Sequence, residues 1–357
     1  MARNGGLHWS EVDAGVLEPL RRGAAFPAHP LALDAKRRFD RESQQALSRY
    51  YIDAGSGGLA VGVHATQFAI REAGLYKPVL ELAAETSRTW TRRKLFMIAG
   101  AMGRTAQAVD EARLARSLGY HAVLLSLGAM QGASEDELAR HCAAVAKEMP
   151  LVGFYLQPAV GGIPLSRKFW AKFAALNNVV AIKVAPFNRY RTLDVAFGIA
   201  EAGAEDRITL YTGNDDHIVL DLLTPLCVRL GNREVTLRFK GGLLGHWSIW
   251  TKAAADLLEK LKAAADAGPI SPDLLKLDSF VTDCNATIFD VEHDFAGCIP
   301  GCHEVLRRQG LLATTLCLNP DEKLSSGQGA GIDRLYALYP EFTDDAFVKA
   351  NLARWRA

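Results

Sequence analysis

The sequence predicts a (β/α)8 barrel followed by a helical C-terminal extension. Three observations lead there. Eight short apolar runs recur along the chain, at 23–27, 58–62, 95–101, 121–127, 151–156, 179–184, 208–212 and 235–239. Each is rich in Val, Ile, Leu or aromatic residues, as a parallel strand buried on both faces should be. Successive runs lie about 25–35 residues apart, the size of a βα unit. The first run leads into Ala28-His29-Pro30-Leu31, without the Gly-rich dinucleotide or phosphate loop that opens a doubly wound sheet.

The segments between the runs carry helical signals. In 105–118, Ala108, Ala112, Ala115 and Leu118 fall near one face, with Arg113 and Arg116 elsewhere. Segment 134–147 opens with Ser134 and has Glu137 three residues later, a capping-box pattern. The eighth unit ends near Gly268. Residues 1–270 are therefore assigned to the barrel with a short N-terminal lead. Residues 271–357 read as a helical extension packed on the barrel's outside or at an oligomer contact. Within it, 324–332 contains Ser325-Ser326-Gly327-Gln328-Gly329-Ala330-Gly331 and reads as a flexible loop.

Composition excludes several function classes. Forty-one Lys and Arg face forty Asp and Glu, so no net field draws nucleic acid or an anionic membrane. The six cysteines form no C-x-x-C pair and read as reduced thiols. The leading residues are polar, unlike a signal peptide, and no run of about 18 apolar residues suggests a membrane span. A cytoplasmic protein is the expectation. A chain of this length buries a sizeable core without disulfides or metals.

Barrel active sites lie at the C-terminal ends of the strands. The sixth run, Asn178-Val179-Val180-Ala181-Ile182-Lys183-Val184-Ala185, holds a single charge. Alternation places Lys183 on the face of Ala181 and Ala185, small neighbours that leave room beside it. Burial of an ammonium lowers its pKa, and a partly neutral lysine attacks carbonyls. A lysine paired with a buried carboxylate is the equal alternative from position alone. On the neighbouring run, Tyr155 stands at the same end, where a hydroxyl would relay protons or simply fill the core.

These residues, taken with others in order, resemble the dihydrodipicolinate synthase / N-acetylneuraminate lyase family of class I aldolases. The family's Tyr-Asn-x-Pro segment stands here as Tyr155-Leu156-Gln157-Pro158. Its Schiff-base strand stands as Asn178 to Lys183, its seventh-strand end as Thr212-Gly213-Asn214-Asp215-Asp216, and its third-strand end as Met97-Ile98-Ala99-Gly100. The resemblance runs from about Arg22 to Gly310. It implies a barrel, a Schiff base between Lys183 and a pyruvate-like 2-oxo acid, Tyr155 as the proton-transferring hydroxyl, no cofactor, and a homo-oligomer, dimer or tetramer.

The chain also departs from that pattern. The family's carboxylate-binding loop, Gly-Thr/Ser-Thr-Gly-Glu, is replaced by Gly62-Val63-His64-Ala65-Thr66-Gln67. Its backbone amides would still hold a carboxylate. His64 would add a charge-assisted bond or act in acid–base chemistry. The relay tyrosine after the fourth strand is absent from 126–131. The arginine that binds a second carboxylate in the synthase branch is absent from Ala159-Val160-Gly161-Gly162.

Other strand-end groups that would read a substrate are Asn188, Asn214, Asp215 and Lys240. Lys240 is also the rival Schiff-base lysine. Cys298, Cys302 and His303 lie close in sequence but lack the further pair that structural zinc needs. The reading is a 2-oxo acid lyase, with a 2-keto-3-deoxy sugar acid dehydratase or a non-catalytic 2-oxo acid binding protein as alternatives. A metal-dependent aldolase would need more ligands than His64 supplies.

Overall fold

A computed structural model of the chain describes residues 5–357, so the first four residues of the polar lead lie outside it. Among the described residues nine strands form: β1 (Ala60–Val61), β2 (Ile98–Ala101), β3 (Ala122–Leu125), β4 (Leu151–Leu156), β5 (Val179–Ala185), β6 (Thr209–Thr212), β7 (Leu226–Leu230), β8 (Arg233–Leu237) and β9 (Phe239–Gly242). Strands β1 to β6 and then β9 pair in parallel, in that order. Segment 25–28 closes the ring. Ala25 bridges Gly242 of β9 and Ala28 bridges Ala60 of β1, both in parallel. Pro27 has no N–H to offer the ladder, which keeps this eighth stave to isolated bridges. The curled sheet with its surrounding helices is the (β/α)8 barrel that the apolar runs predict.

Alternation sorts the strand residues into two packing layers. Phe26, Phe96, Ile98, Leu124, Val152, Phe154, Ala181 and Tyr211 fill the barrel interior. Leu125, Leu151, Tyr155, Ile182 and Val184 face outward against the helices. The capping box forms as expected. Ser134 Oγ accepts from Glu137 N, and Ser134 N donates to Glu137 Oε2 at 2.8 Å, opening the helix Glu135–Ala146. The helix Thr105–Ser117 buries Ala108, Ala112 and Ala115 as read, and also Glu111.

The eighth strand is not the one expected. Run 235–239 falls mostly in β8, which pairs antiparallel with β7 through a turn at Gly231 (φ +59°). This hairpin stands apart from the barrel sheet, with one half-exposed face. The barrel strand is β9, beginning at Phe239 opposite Leu210. Val235 and Leu237 alternate with exposed residues, the pattern of an antiparallel strand wet on one side.

The extension comprises helices Pro272–Ile288, Cys298–Arg308, Gln328–Leu338 and Asp345–Arg356. Segment 324–332 is not a loop throughout, because the third of these helices starts at Gln328. The buried Gln328 Nε2 donates to the carbonyls of Ile288 and Gly297, both at 3.0 Å, and fixes that start. The last helix returns to the helix Arg41–Asp53. There Trp355 Nε1 donates to Asp53 at 2.6 Å and Tyr50 OH donates to Asp344 at 2.6 Å.

One buried ion pair ties down the ends of β1 and β2. Arg71 meets Glu111 in a fork, Nε to Oε1 at 2.8 Å and Nη2 to Oε2 at 2.9 Å. Arg71 also donates to the carbonyls of Gly62 and Gly100. Glu111 accepts further bonds from Met102 N and Gln107 Nε2. Removing one partner of such a pair strands the other. Arg71→Met is therefore expected to lower stability by about 3–5 kcal/mol, read from the denaturation midpoint. An unchanged midpoint would show that the clamp carries no stability.

Candidate active site

A pocket of about 690 Å³, its open mouth included, lies at the C-terminal ends of the strands. Lys183 lines it, buried and presented inward by β5. Its ammonium sits 4.5 Å from the ring centroid of Phe154. It makes no direct ion pair among the described residues. Burial pushes its pKa down from the ordinary 10.5 to about 8, and the nearby Asp215 carboxylate partly opposes that shift. Asp215 also lines the pocket. Burial raises it to about 7, while the Lys183 charge and a 3.0 Å bond from His246 N pull it back. The two alternatives for Lys183 thus meet halfway: a carboxylate is near enough to be felt but not in contact.

Space for the lysine comes from small residues. A Cβ added at Gly213 would lie 2.6 Å from Lys183 Cε and 2.8 Å from Ala185 Cβ. Gly213→Ala is expected to displace the amine and slow any reaction at Nζ roughly 10-fold or more, read as the rate of imine formation with a 2-oxo acid. A wild-type rate would show that the amine has room to spare.

Tyr155 is not part of this pocket. In the parallel register Phe154 lies opposite Lys183 and Tyr155 opposite Val184, with a bulge between Leu151 and Val152. Phe154 and Leu156 therefore face inward, and Tyr155 points out of the barrel onto Trp170, at 5.2 Å between ring centroids. Its hydroxyl donates to the carbonyl of Leu165 and accepts from the same residue's N–H, both at 3.1 Å. The relay assigned to Tyr155 is corrected accordingly. Phe154, which has no hydroxyl, occupies the inward position. Tyr155→Phe should cost about 1 kcal/mol of stability and leave chemistry at Lys183 within about 3-fold; a loss of 100-fold would return the tyrosine to the mechanism.

The loop after β1 contributes in part. Val63, His64 and Ala65 line the pocket. Burial, helped by the Lys183 charge, pushes His64 down to about 4, so it is neutral near pH 7. Gly62 (φ +76°) and Thr66 serve the loop's shape instead. Thr66 Oγ accepts from Gly62 N at 2.9 Å and donates to His29 O at 2.6 Å, which leaves its hydroxyl no free bond to give. The 3-10 turn His64–Thr66 begins here, and the first amides of such a turn have no acceptor within it.

Three further expectations fail. Asn188 caps the helix Arg189–Glu201 by accepting from Arg191 N, and it is exposed, away from the pocket. Asn214 is buried but committed, accepting from Phe187 N and donating to Asp221 at 2.9 Å. Lys240 lies exposed near the start of β9, beside Arg21, Glu205 and Thr209 at the opposite end of the barrel. That removes it as a rival nucleophile.

The extension supplies pocket residues that the strand ends do not. Phe289, Phe295, Cys298, Ile299, Cys302 and His303 line the pocket, so the helix Cys298–Arg308 roofs the barrel mouth. Cys298 and Cys302 lie one turn apart, and burial holds both thiols protonated, Cys302 at about 12 and Cys298 well above its ordinary value. The cluster 298–303 was visible in sequence as a set of ligand-type residues, but its place over the barrel was not. No group of three or more His, Cys, Asp or Glu arranged to hold a metal is found among the described residues. No described helix is long and apolar enough to cross a membrane.

A closed parallel barrel with one buried lysine at its mouth defines a class of protein, and comparison supplies the family. The chain belongs to the dihydrodipicolinate synthetase family, whose family model matches residues 23–225 and ends just before the β7–β8 hairpin. A 4-hydroxy-tetrahydrodipicolinate synthase of Clostridium novyi (strain NT) is 30% identical over 130 residues, a match spanning 36% of this chain and 42% of that relative. Two solved structures share the fold. The chloride-inhibited dihydrodipicolinate synthase of Acinetobacter baumannii, complexed with pyruvate, has a TM-score of 0.71 at 18% identity, covering 91% of this chain and 99% of that one. CdNal of Clostridium difficile, in complex with mannosamine, has a TM-score of 0.71 at 15% identity, covering 89% and 99%. The family is one of lyases and aldolases.

Proposed function

We propose that this protein is a lyase that forms a Schiff base between Lys183 and a 2-oxo acid, and makes or breaks the acid's C3–C4 bond, one carbon removed from the C2 carbonyl. The observation that carries the reading is the position of Lys183. It is a buried amine at the C-terminal mouth of the barrel, with its pKa lowered to about 8 and no ion pair among the described residues. The pyruvate complex of a solved relative supports the substrate class.

In this mechanism neutral Nζ adds to the C2 carbonyl, and the carbinolamine loses water to give an iminium. Asp215, which lines the same pocket, donates the proton that leaves with the hydroxide, the part the family resemblance gives to Tyr155. The amides of His64 and Ala65, at the start of the His64–Thr66 turn, hold the substrate carboxylate. The iminium then draws the electrons of the C3–C4 bond, releasing an aldehyde and leaving an enamine. No metal or cofactor enters the reaction. Residence in the cytoplasm and a homo-oligomeric assembly belong to the same proposal, the second checked by sedimentation velocity.

Borohydride trapping with pyruvate, followed by peptide mapping, tests the reading. The adduct is expected on Lys183 and absent from Lys183→Ala. Its pH profile has a defined shape. The amine must be neutral, so the rate rises toward about pH 8. Asp215 must keep its proton, so the rate declines above about pH 7, and the maximum lies between. Asp215→Asn removes the charge that raises the lysine pKa. It should shift the acid limb to lower pH and slow imine formation by on the order of 100-fold. No adduct with pyruvate or with larger 2-oxo acids would end the Schiff-base reading and favour a binding protein.

A further inference from the structure

We infer that the pocket is built for a 4-hydroxy-2-oxo acid whose C4 substituent is uncharged and apolar, with the 4-hydroxyl donated to Nε2 of His303. This deepens the Schiff-base reading of Lys183 and rests on it.

The first observation is an unpartnered acceptor in the roof. His303 is fully buried on the helix Cys298–Arg308 and lines the pocket. Its Nδ1 lies 3.3 Å from the carbonyl oxygen of Thr315, and the Leu316 backbone also bonds the ring; carbonyls only accept, and we place the ring proton on Nδ1. Nε2, on the other edge of the ring, is then a bare lone pair. It has no partner among the described residues. Burial keeps the ring neutral by pushing it down to about 4. A buried acceptor without a donor is unfavourable, and a ligand hydroxyl supplies what is missing. A carboxylate at this place meets a lone pair and is repelled.

The second observation is the rest of the wall. Lys183 is the only Lys or Arg among the residues lining the pocket, and the Schiff base consumes it. Nothing remains to neutralise a second acidic group, and few donors remain for a chain of hydroxyls. Leu156, Val160, Phe187, Phe289, Phe295 and Ile299 provide apolar surface instead. Phe187 (φ +50°) and Phe295 (φ +68°) hold left-handed backbone conformations that bulky residues rarely adopt. Their rings meet edge to face, 6.1 Å apart between centroids. Strained backbone at two facing pocket residues marks a surface kept for a ligand.

The step balances without a further reactant. With C2 held as the iminium on Lys183, the 4-hydroxyl proton passes to His303 Nε2 and C4 becomes a carbonyl. The C3–C4 bond breaks, and its electron pair forms the enamine. The apolar aldehyde leaves, the proton held by His303 returns to the chain at C3, and one water hydrolyses the imine to release the shorter 2-oxo acid and free Lys183.

The test compares two substrates on the full chain, 4-hydroxy-4-phenyl-2-oxobutanoate and the polyhydroxylated 2-oxo-3-deoxygluconate, reading aldehyde and pyruvate release. The phenyl compound is expected to have a kcat/KM roughly 100-fold higher. His303→Leu should lose roughly 100-fold in kcat on it while a pyruvate adduct on Lys183 is still trapped. His303→Gln, which keeps an acceptor, should recover part of the loss. Equal or faster cleavage of the sugar acid overturns the inference. So does no cleavage of the phenyl compound, or wild-type kcat in His303→Leu. The substrate comparison needs no variant and stands even if His303→Leu does not fold. Failure of the Schiff-base reading shows separately, as the absence of any pyruvate adduct on the wild-type chain.

Discussion

A primary amine inside an apolar barrel is the constraint on which the rest of the site depends. Water would stabilise the charged form of Lys183, and the barrel excludes it. The compensation is partial: the face of Phe154 at 4.5 Å and the field of Asp215. A full ion pair would return the lysine to an inert cation, and complete isolation would strip it of charge and leave no proton source nearby. The intermediate arrangement lowers the amine's pKa and raises the carboxyl's, drawing both toward neutrality. Small residues are needed around it, because a single methyl at Gly213 already collides with the lysine.

The barrel alone does not enclose that amine. Its mouth is closed by the helix Cys298–Arg308 and the loop before it, more than a hundred residues beyond Lys183 in sequence. The chain then returns to the helix Arg41–Asp53, held there by Tyr50 to Asp344 and Trp355 to Asp53. Low dielectric strengthens every electrostatic effect at Lys183, and it exists only because this distant segment covers the opening. The roof also brings an imidazole edge, His303 Nε2, that has no hydrogen-bond partner among the described residues. The amine at the floor and the imidazole at the ceiling thus come from different parts of the chain, with phenylalanines between them.

Much of this was legible in the sequence, for local reasons. The strands announced themselves as apolar runs because both faces are buried, and Lys183 stood out as the lone charge in one of them. The capping box at Ser134 and the buried alanines of Thr105–Ser117 are patterns within a single helix. Tyr155 was misread for an equally physical reason. A motif match fixes which residues are present, but the facing of a strand residue depends on its pairing, and one residue of slip turns every side chain over. The bulge at Leu151/Val152 sets that register, and Phe154 rather than Tyr155 faces inward. Run 235–239 was misread because an alternating segment looks the same whether it joins the barrel or folds back as a hairpin.

The sequence by itself determined the barrel, the order of its strands through β6, and the identity of the buried lysine. These follow from periodicity and hydrophobic pattern, which are properties of neighbouring residues. Only the tertiary structure decided which side chains meet that lysine. It withdrew Tyr155, Asn188, Asn214, Thr66 and Lys240 from the pocket and added Phe154, Phe295, Cys302 and His303. The reason is that packing between segments more than a hundred residues apart sets burial, and burial sets the charge of an amine, a carboxyl and an imidazole. No local pattern records it.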